Sequence, residues 1–339
     1  MPVPLALALV RRLLALVPVI FIVSVLVFVT LRVLPVDPAK MSLPASATIA
    51  QVEAAREAMG LNKPIWEQYA IWIGDALQGN LGTSALYRTP TVSVVFERLP
   101  ATIELSVAAL LLATGVGVTA GLALFAVRGT VFETAGLALT SMLMALPDFL
   151  LSLLLILAFG VLIPLFPVNG RLEPGMIAPD ITGFLLLDLA ISGDWAGLAS
   201  ALRHMALPVL ALGLSFSPLI LRVLHSSLLG VYQQSYIRQA RLRGLSDRSI
   251  LFGQALRNAM LPVVILIGTQ FGGLFGGTLL VEVIFSYPGI GNLMIKAIQT
   301  VDLSVLMAVA MIYCVATLLM NALADVAASL LDPRLRGQG

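Results

Sequence analysis

Charge is what this sequence has least of. Only 11% of its 339 residues are Asp, Glu, Lys or Arg, against about 25% in an ordinary soluble domain. With 59% hydrophobic residues alongside, a water-soluble globule would lack the polar surface to cover itself, and lipid is the expected solvent. The net charge of +2 is far too small for a chain that neutralises nucleic-acid phosphates. One cysteine, Cys314, and two histidines, His204 and His225, make neither a disulfide framework nor a metal cage. The three lysines, Lys40, Lys63 and Lys296, follow Ala, Asn and Ile. A Walker-A loop needs Gly-Lys-Ser/Thr, so any use of ATP requires a site on another subunit.

What the sequence does have is long apolar runs. Stretches of about 17–25 residues without charge are the signal of membrane-spanning helices. Such runs are Leu13–Leu31, Leu105–Val127, Thr134 to Phe166, Met205–Leu221, Asn258–Val281 and Leu303–Ala324. The third is interrupted by Asp148 and is too long for one straight span, so it is expected to tilt, kink or extend past the bilayer. Six spans are predicted. The first follows Arg11-Arg12 as a secretory signal would, but it is long for one and no small-x-small cleavage site precedes Pro35, so it reads as a retained helix.

Six spans place both termini on one side. That side collects eleven basic residues, from Arg11, Arg12 and Arg128 to Arg334 and Arg336, against Glu133, Asp247 and Asp332, whereas the other side has nine basic and eleven acidic residues. The positive-inside rule makes the first side cytoplasmic. The chain therefore divides into a cytoplasmic N-terminus with the first span (1–34), an outer polar insertion (35–99), a membrane core (100–330) containing a cytoplasmic loop (232–262), and a cytoplasmic tail (331–339). In the insertion, Thr48-x-x-Gln51 reads as a capping box opening a helix that Gly60 closes, and Pro64 opens another that Gly79 ends. Trp66, Tyr69 and Trp72 are spaced to share a side of that helix, either as an aromatic belt at the headgroups or packed on the spans.

The stretch from Tyr236 to Pro262 is the most informative. Gly244 suits the left-handed position that ends one helix, Ser246 caps the next, and Asp247 sits favourably in its first turn. The pattern is two short basic helices meeting at a corner, a shape suited either to an ordinary positive-inside loop or to docking on a cytoplasmic partner. In wording, Tyr236, Arg238, Ala240, Arg241, Gly244, Leu245, Ser246, Leu256, Arg257, Asn258, Ala259 and Pro262 resemble the EAA loop of ABC-importer permeases of the dipeptide/oligopeptide (and nickel/glutathione) family. Gln239 stands where that family has a small residue, and Arg243 where it has lysine. Fragments elsewhere agree in order and spacing: Leu61-Asn-Lys-Pro64, Gly79-Asn-Leu-Gly82-Thr-Ser84, Arg98-Leu-Pro100, Val281-Glu282 through Tyr287-Pro288-Gly-Ile-Gly291, and Asp332-Pro333-Arg334. Val36 departs from the usual glycine.

The resemblance implies an all-α, polytopic type I (MetI-like) permease of the bacterial inner membrane, working by alternating access. It implies a second homologous permease subunit, two ATP-binding subunits and an extracytoplasmic solute-binding protein as partners in the lipid bilayer, with no nucleic acid. No cofactor is expected on this chain, ATP-Mg being held by the partner subunits. It further implies an ATPase-coupling loop of Arg238, Gln239, Ala240, Arg241, Gly244, Ser246, Asp247, Arg248 and Pro262, with Ala240 and Gly244 permitting close approach and Arg241 and Arg248 supplying polar contacts.

Acids inside a membrane are costly and mark function. Asp148, beside Pro147, is the candidate pathway residue, with Met142 and Met144 as flexible cavity-lining side chains. Glu104, Glu282 and Asp325 fall at span ends and are expected to be interfacial. Gly268, Gly272 and Gly276 repeat every four residues and read as a helix-packing face. An ion-coupled secondary transporter is the alternative, although neither an internal repeat nor a paired-acid relay is visible. An intramembrane enzyme has less support, since no nucleophile–base pair stands out.

Overall fold

The computed structural model describes residues 5–33, 37–41, 43 and 46–331, without the side chains of residues 5–13, 325 and 327–331. The side chains of Arg11, Arg12 and Asp325, the stretch 34–36 with Val36, and Asp332, Pro333, Arg334 and the rest of the tail lie outside the described residues. In chain order the helices are α1 (Leu5–Val33), α2 (Pro38–Met41), α3 (Ile49–Ala58), α4 (Ile65–Leu77), α5 (Thr91–Ala126), α6 (Val131–Ala145), α7 (Asp148–Ile156), α8 (Leu185–Ser192), α9 (Trp195–Tyr232), α10 (Ser235–Leu242), α11 (Asp247–Ile250), α12 (Leu256–Ile284), α13 (Ile290–Thr300) and α14 (Leu303–Leu331). Among the described residues, β pairing is confined to one bridge between Thr83 and Pro90.

Among the described residues, five helical stretches are long and apolar enough to cross a membrane, and six when the α6–α7 pair counts as one broken span. That pair bends by 100°. Leu146 is extended and Pro147 cannot donate its backbone nitrogen, so the helix stops and restarts at Asp148. α7 then runs on through a wider π-helical turn, Leu157–Leu162.

The helices outlast the apolar runs that announced them. α5 begins at Thr91 rather than Leu105 and passes through Pro100; α9 covers 38 residues through Pro208 and Pro218, enclosing Arg203 and Arg222. Hydropathy senses where lipid ends, whereas a helix ends only where its hydrogen bonds find other partners. In the insertion, the Thr48–Gln51 capping box forms as expected, and Gly60 and Gly79 follow α3 and α4 with positive φ. Asp37 and Arg56 pair at 2.5 Å. Burial pushes the Asp37 carboxyl up, but hydrogen bonds from Arg56 and the Ala39 amide outweigh it and hold the group below the usual aspartate range.

α5 and α9 form the central pair and run parallel. Gly117 meets Ile220 and Gly121 meets Leu224, so the contact advances by the same four residues on both helices. A Cβ on Gly117 would lie 2.7 Å from Ile220 side-chain atoms and 2.9 Å from the Ser217 carbonyl oxygen. Gly117→Ala should therefore spread the pair and cost about 1–3 kcal/mol as overpacking does. An unchanged thermal transition of the purified variant complex would contradict that. α12 packs antiparallel on α14, and α1 lies along α14 at the edge of the bundle. One buried cluster joins α5, α7, α9 and α12, a second joins α12, α13 and α14, and a third fills the end where α10 and α11 sit.

Candidate functional site

At that end the chain turns the expected corner. α10 closes with Gly244 at φ +79°, and the Ser246 hydroxyl accepts from the Ser249 amide at 3.3 Å to cap α11. The corner is braced from within. Ile237, Ala240 and Ile250 are buried against Leu228 and Ala259, and the Asn258 amide donates to the Tyr236 hydroxyl at 2.9 Å. Arg241 lies 5.5 Å from the Tyr232 ring centroid and 3.5 Å from the Asp247 carboxylate.

The outer rim is basic and open. Arg238, Gln239, Arg241, Arg243, Gly244, Ser246, Asp247 and Arg248 are all exposed. Two readings change here. Ala240 is buried inside the chain, so its small side chain serves the internal corner and is not a surface of close approach. Pro262 lies inside α12, exposed, and not in the loop itself. Sequence reasoning also passed over Leu242, 83% exposed, and Phe252, 55% exposed, which set apolar patches among the arginines. Their signal was apolar residues within a basic loop.

Asp148 occupies the break between α6 and α7. It stands in the first turn of α7, where the helix dipole favours a carboxylate. A Cβ on Gly277 of α12 would lie 3.3 Å from its Oδ2 and 3.7 Å from the Phe216 ring of α9, so these three helices converge at the break. Met142 and Met144 are exposed on α6. Of the glycine row, Gly268 and Gly272 face α14, where added Cβ atoms would meet Ala324 at 2.3 Å and Thr317 at 3.1 Å. Gly276 has no such neighbour and lies on the wall of an open groove with Val19, Leu279 and Cys314. The packing row is thus two glycines long within this chain.

At the opposite end, Glu104 and Glu282, two of the acids read as interfacial, are buried. Glu282, fully enclosed, accepts from the Thr102 hydroxyl at 2.6 Å and from the Gly291 and Asn292 amides at 2.8 and 3.0 Å. It closes the N-terminus of α13 and ties it to α5. Gly289 has to be glycine here, because a Cβ would lie 2.4 Å from both the Glu282 carboxyl and the Thr102 hydroxyl. Glu104 pairs with Arg171 and accepts from the Leu186 amide at 2.8 Å, while Arg171 lies 5.3 Å from the centroid of the buried Tyr287 ring. Burial of these acids is offset by partners distant in the chain. Asp302, also buried, accepts from the Ser84 hydroxyl at 2.5 Å and anchors the 82–90 loop to α14.

Asp188 organises the turn before α8. Burial pushes its carboxyl up, yet the Thr182 hydroxyl and the amides of Thr182, Ile181 and Gly183 together bring it below the ordinary aspartate value of 3.8. Its stabilising effect is fully present above that value and is lost as pH falls through the lower folded one. Hydrogen exchange of the 181–188 peptide, corrected for intrinsic rates, should accelerate only as pH falls below the ordinary aspartate value of 3.8; acceleration already at neutral pH would refute the anchor.

Residues 113–337 match the family described as "Binding-protein-dependent transport system inner membrane component", and residues 6–106 match its N-terminal companion family. The chain is 36% identical to a di/tripeptide transport system permease protein of Pseudomonas aeruginosa, over 97% of this chain and 98% of that protein. It is 36% identical to a dipeptide transport system permease protein of Escherichia coli, over 96% and 97% of the two. It is 30% identical to a glutathione transport system permease protein of Escherichia coli, over 96% and 98%.

Proposed function

Because this chain belongs to the binding-protein-dependent transport system inner membrane components, and so is a permease subunit of an ABC importer, we propose that its solute is a dipeptide or short peptide. The observation that carries this reading is the full-length similarity to permeases named for di- and tripeptides. The family works with a solute-binding protein and ATPase partners. In the finer reading, one homologous permease completes the pathway and two ATP-binding subunits hold ATP-Mg, this chain contributing no nucleotide site or cofactor. The charge asymmetry supports cytoplasmic termini and a cytoplasmic 232–262 loop, with 35–99 on the outer side.

The corner at Gly244 is the ATPase-coupling element in this proposal. Its exposed arginines and the apolar Leu242 and Phe252 suit a groove of mixed character on the partner, and its internal bracing lets it move as one body. A rigid lever of this kind is what transmits closure of an ATPase pair to the spans. Asp148 at the broken span is proposed to line the pathway. Asp148→Ala should lower the uptake rate about tenfold, comparable with the ~1–2 kcal/mol that a carboxylate at a partly buried helix N-terminus is worth, while leaving assembly intact. Unchanged transport kinetics would remove it from the pathway.

The whole reading is tested by purifying the chain with its associated subunits and reconstituting them with the solute-binding protein. Dipeptide uptake that needs ATP is expected. Uptake that persists without ATP, driven by an ion gradient, would overturn it.

A further inference from the structure

α4 belongs to the segment between the first two spans, yet it touches the first span well below its end. The Tyr69 hydroxyl is 2.7 Å from the Ser24 hydroxyl, and Ser24 lies nine residues before Val33, about 13 Å down the helix axis at 1.5 Å per residue. The Tyr69 ring meets Phe21 and Phe28 edge-on at 6.1 and 5.4 Å, and Trp72 lies 5.6 Å from Phe28. Beyond Ser24 toward Val33, Leu26 and Val29 of α1 remain exposed at 60% and 37%. Apolar side chains on that stretch of a span face lipid, so the bilayer extends past the level at which Tyr69 is seated.

The rest of α4 divides accordingly. At 100° per residue, Tyr69, Trp72 and Ala76 make the side turned to α1. Trp66, Ala70, Ile73 and Leu77 form a neighbouring apolar stripe, with Trp66 70% and Leu77 82% exposed. Glu67, Gln68 and Asp75 occupy the remaining side together with Ile71, 44% exposed, and Gln68 and Asp75 border grooves shared with Leu31 and Arg32 near the Val33 end of α1. An apolar stripe carrying the large exposed Trp66 and Leu77 on a helix held against a span, with its charged residues on another side, has the makeup of a helix lying in a membrane interface.

We propose that α4 is an in-plane interfacial helix, embedded in the leaflet at the Val33 end of the first span, whose Trp66–Leu77 stripe is covered by phospholipid. The occupant is lipid because the stripe continues the exposed apolar surface of α1 around the same contact. The 35–99 segment is thus not wholly outside the bilayer: one of its helices fastens it to the membrane and fixes its height.

The test uses the assembled complex in vesicles of phosphatidylethanolamine and phosphatidylglycerol. Nitroxide labels are placed singly at Trp66→Cys, Ala70→Cys, Leu77→Cys, Glu67→Cys, Asp75→Cys and Ile49→Cys in a Cys314→Ala background, the labelled parent complex giving the signal to subtract. Positions 66, 70 and 77 should be relaxed by oxygen and shielded from an aqueous nickel chelate. Positions 67, 75 and the exposed 49 on α3 should show the reverse. Nickel access at 66, 70 and 77 equal to that at 49 would overturn the proposal in favour of water. Shielding of these three from both reagents would overturn it in favour of a protein subunit. Because the labelled positions are exposed, correct assembly is expected, and several labels along one stripe keep the answer independent of any single substitution.

Discussion

Gly244→Glu should abolish ATP-driven uptake while leaving the chain folded. Gly244 has φ +79°, a conformation that costs an ordinary L-residue about 1–2 kcal/mol, but a Cβ there would meet nothing within 4 Å. The local cost is therefore small beside the stability of the bundle, and the side chain would project outward. What it would bring is a negative charge among Arg241, Arg243 and Arg248, on the surface proposed to enter a partner. A mismatched charge inside an interface costs several kcal/mol, so a loss of uptake of roughly a hundredfold or more is expected. Gly244→Asn separates the two causes, since asparagine tolerates the left-handed conformation and carries no charge. It should retain most activity. Normal ATP-driven uptake by a stably assembled Gly244→Glu complex would show the coupling assignment to be wrong.

Glu282→Ala is expected to damage stability and not coupling. Its carboxylate is the shared acceptor for the Thr102 hydroxyl and the Gly291 and Asn292 amides, all at the closed corner between α12 and α13. Removal leaves the buried Gly291 amide and the part-buried Asn292 amide without this acceptor, at about 1–3 kcal/mol each, and opens a void beside Gly289. A total near 4 kcal/mol is expected, seen as a lower melting transition and less assembled complex. Glu282→Gln should recover part of it, because one oxygen can still accept while the new amide group faces a donor. A Glu282→Ala complex with unaltered thermal stability and yield would mean that the corner is held by packing alone.

How far the sequence reached can be judged from particular residues. The capping box at Thr48, the ends of α3 and α4, and the turn at Gly244 were legible because each depends on residues only a few positions apart. The spans were legible because lipid acts on composition. The 100° break was legible only as an excess of length with Pro147 and Asp148 inside it, since the angle is set by what α9 and α12 leave room for. Ala240 was misread for a similar reason. In a motif an alanine is simply small, and whether that smallness faces a partner or the chain's own core depends on Ile237, Ile250 and Ala259 around it.

By itself, the sequence determined that this chain lives in lipid and where its basic corner lies, because these follow from the local distribution of charge and apolar length. Only the tertiary structure decided the fate of its acids. Glu282 finds Thr102 180 residues away, Glu104 finds Arg171 67 residues away, and Asp302 finds Ser84 218 residues away. A buried carboxylate is tolerated only with its donors in place, and nothing within a span reveals donors that lie elsewhere in the chain.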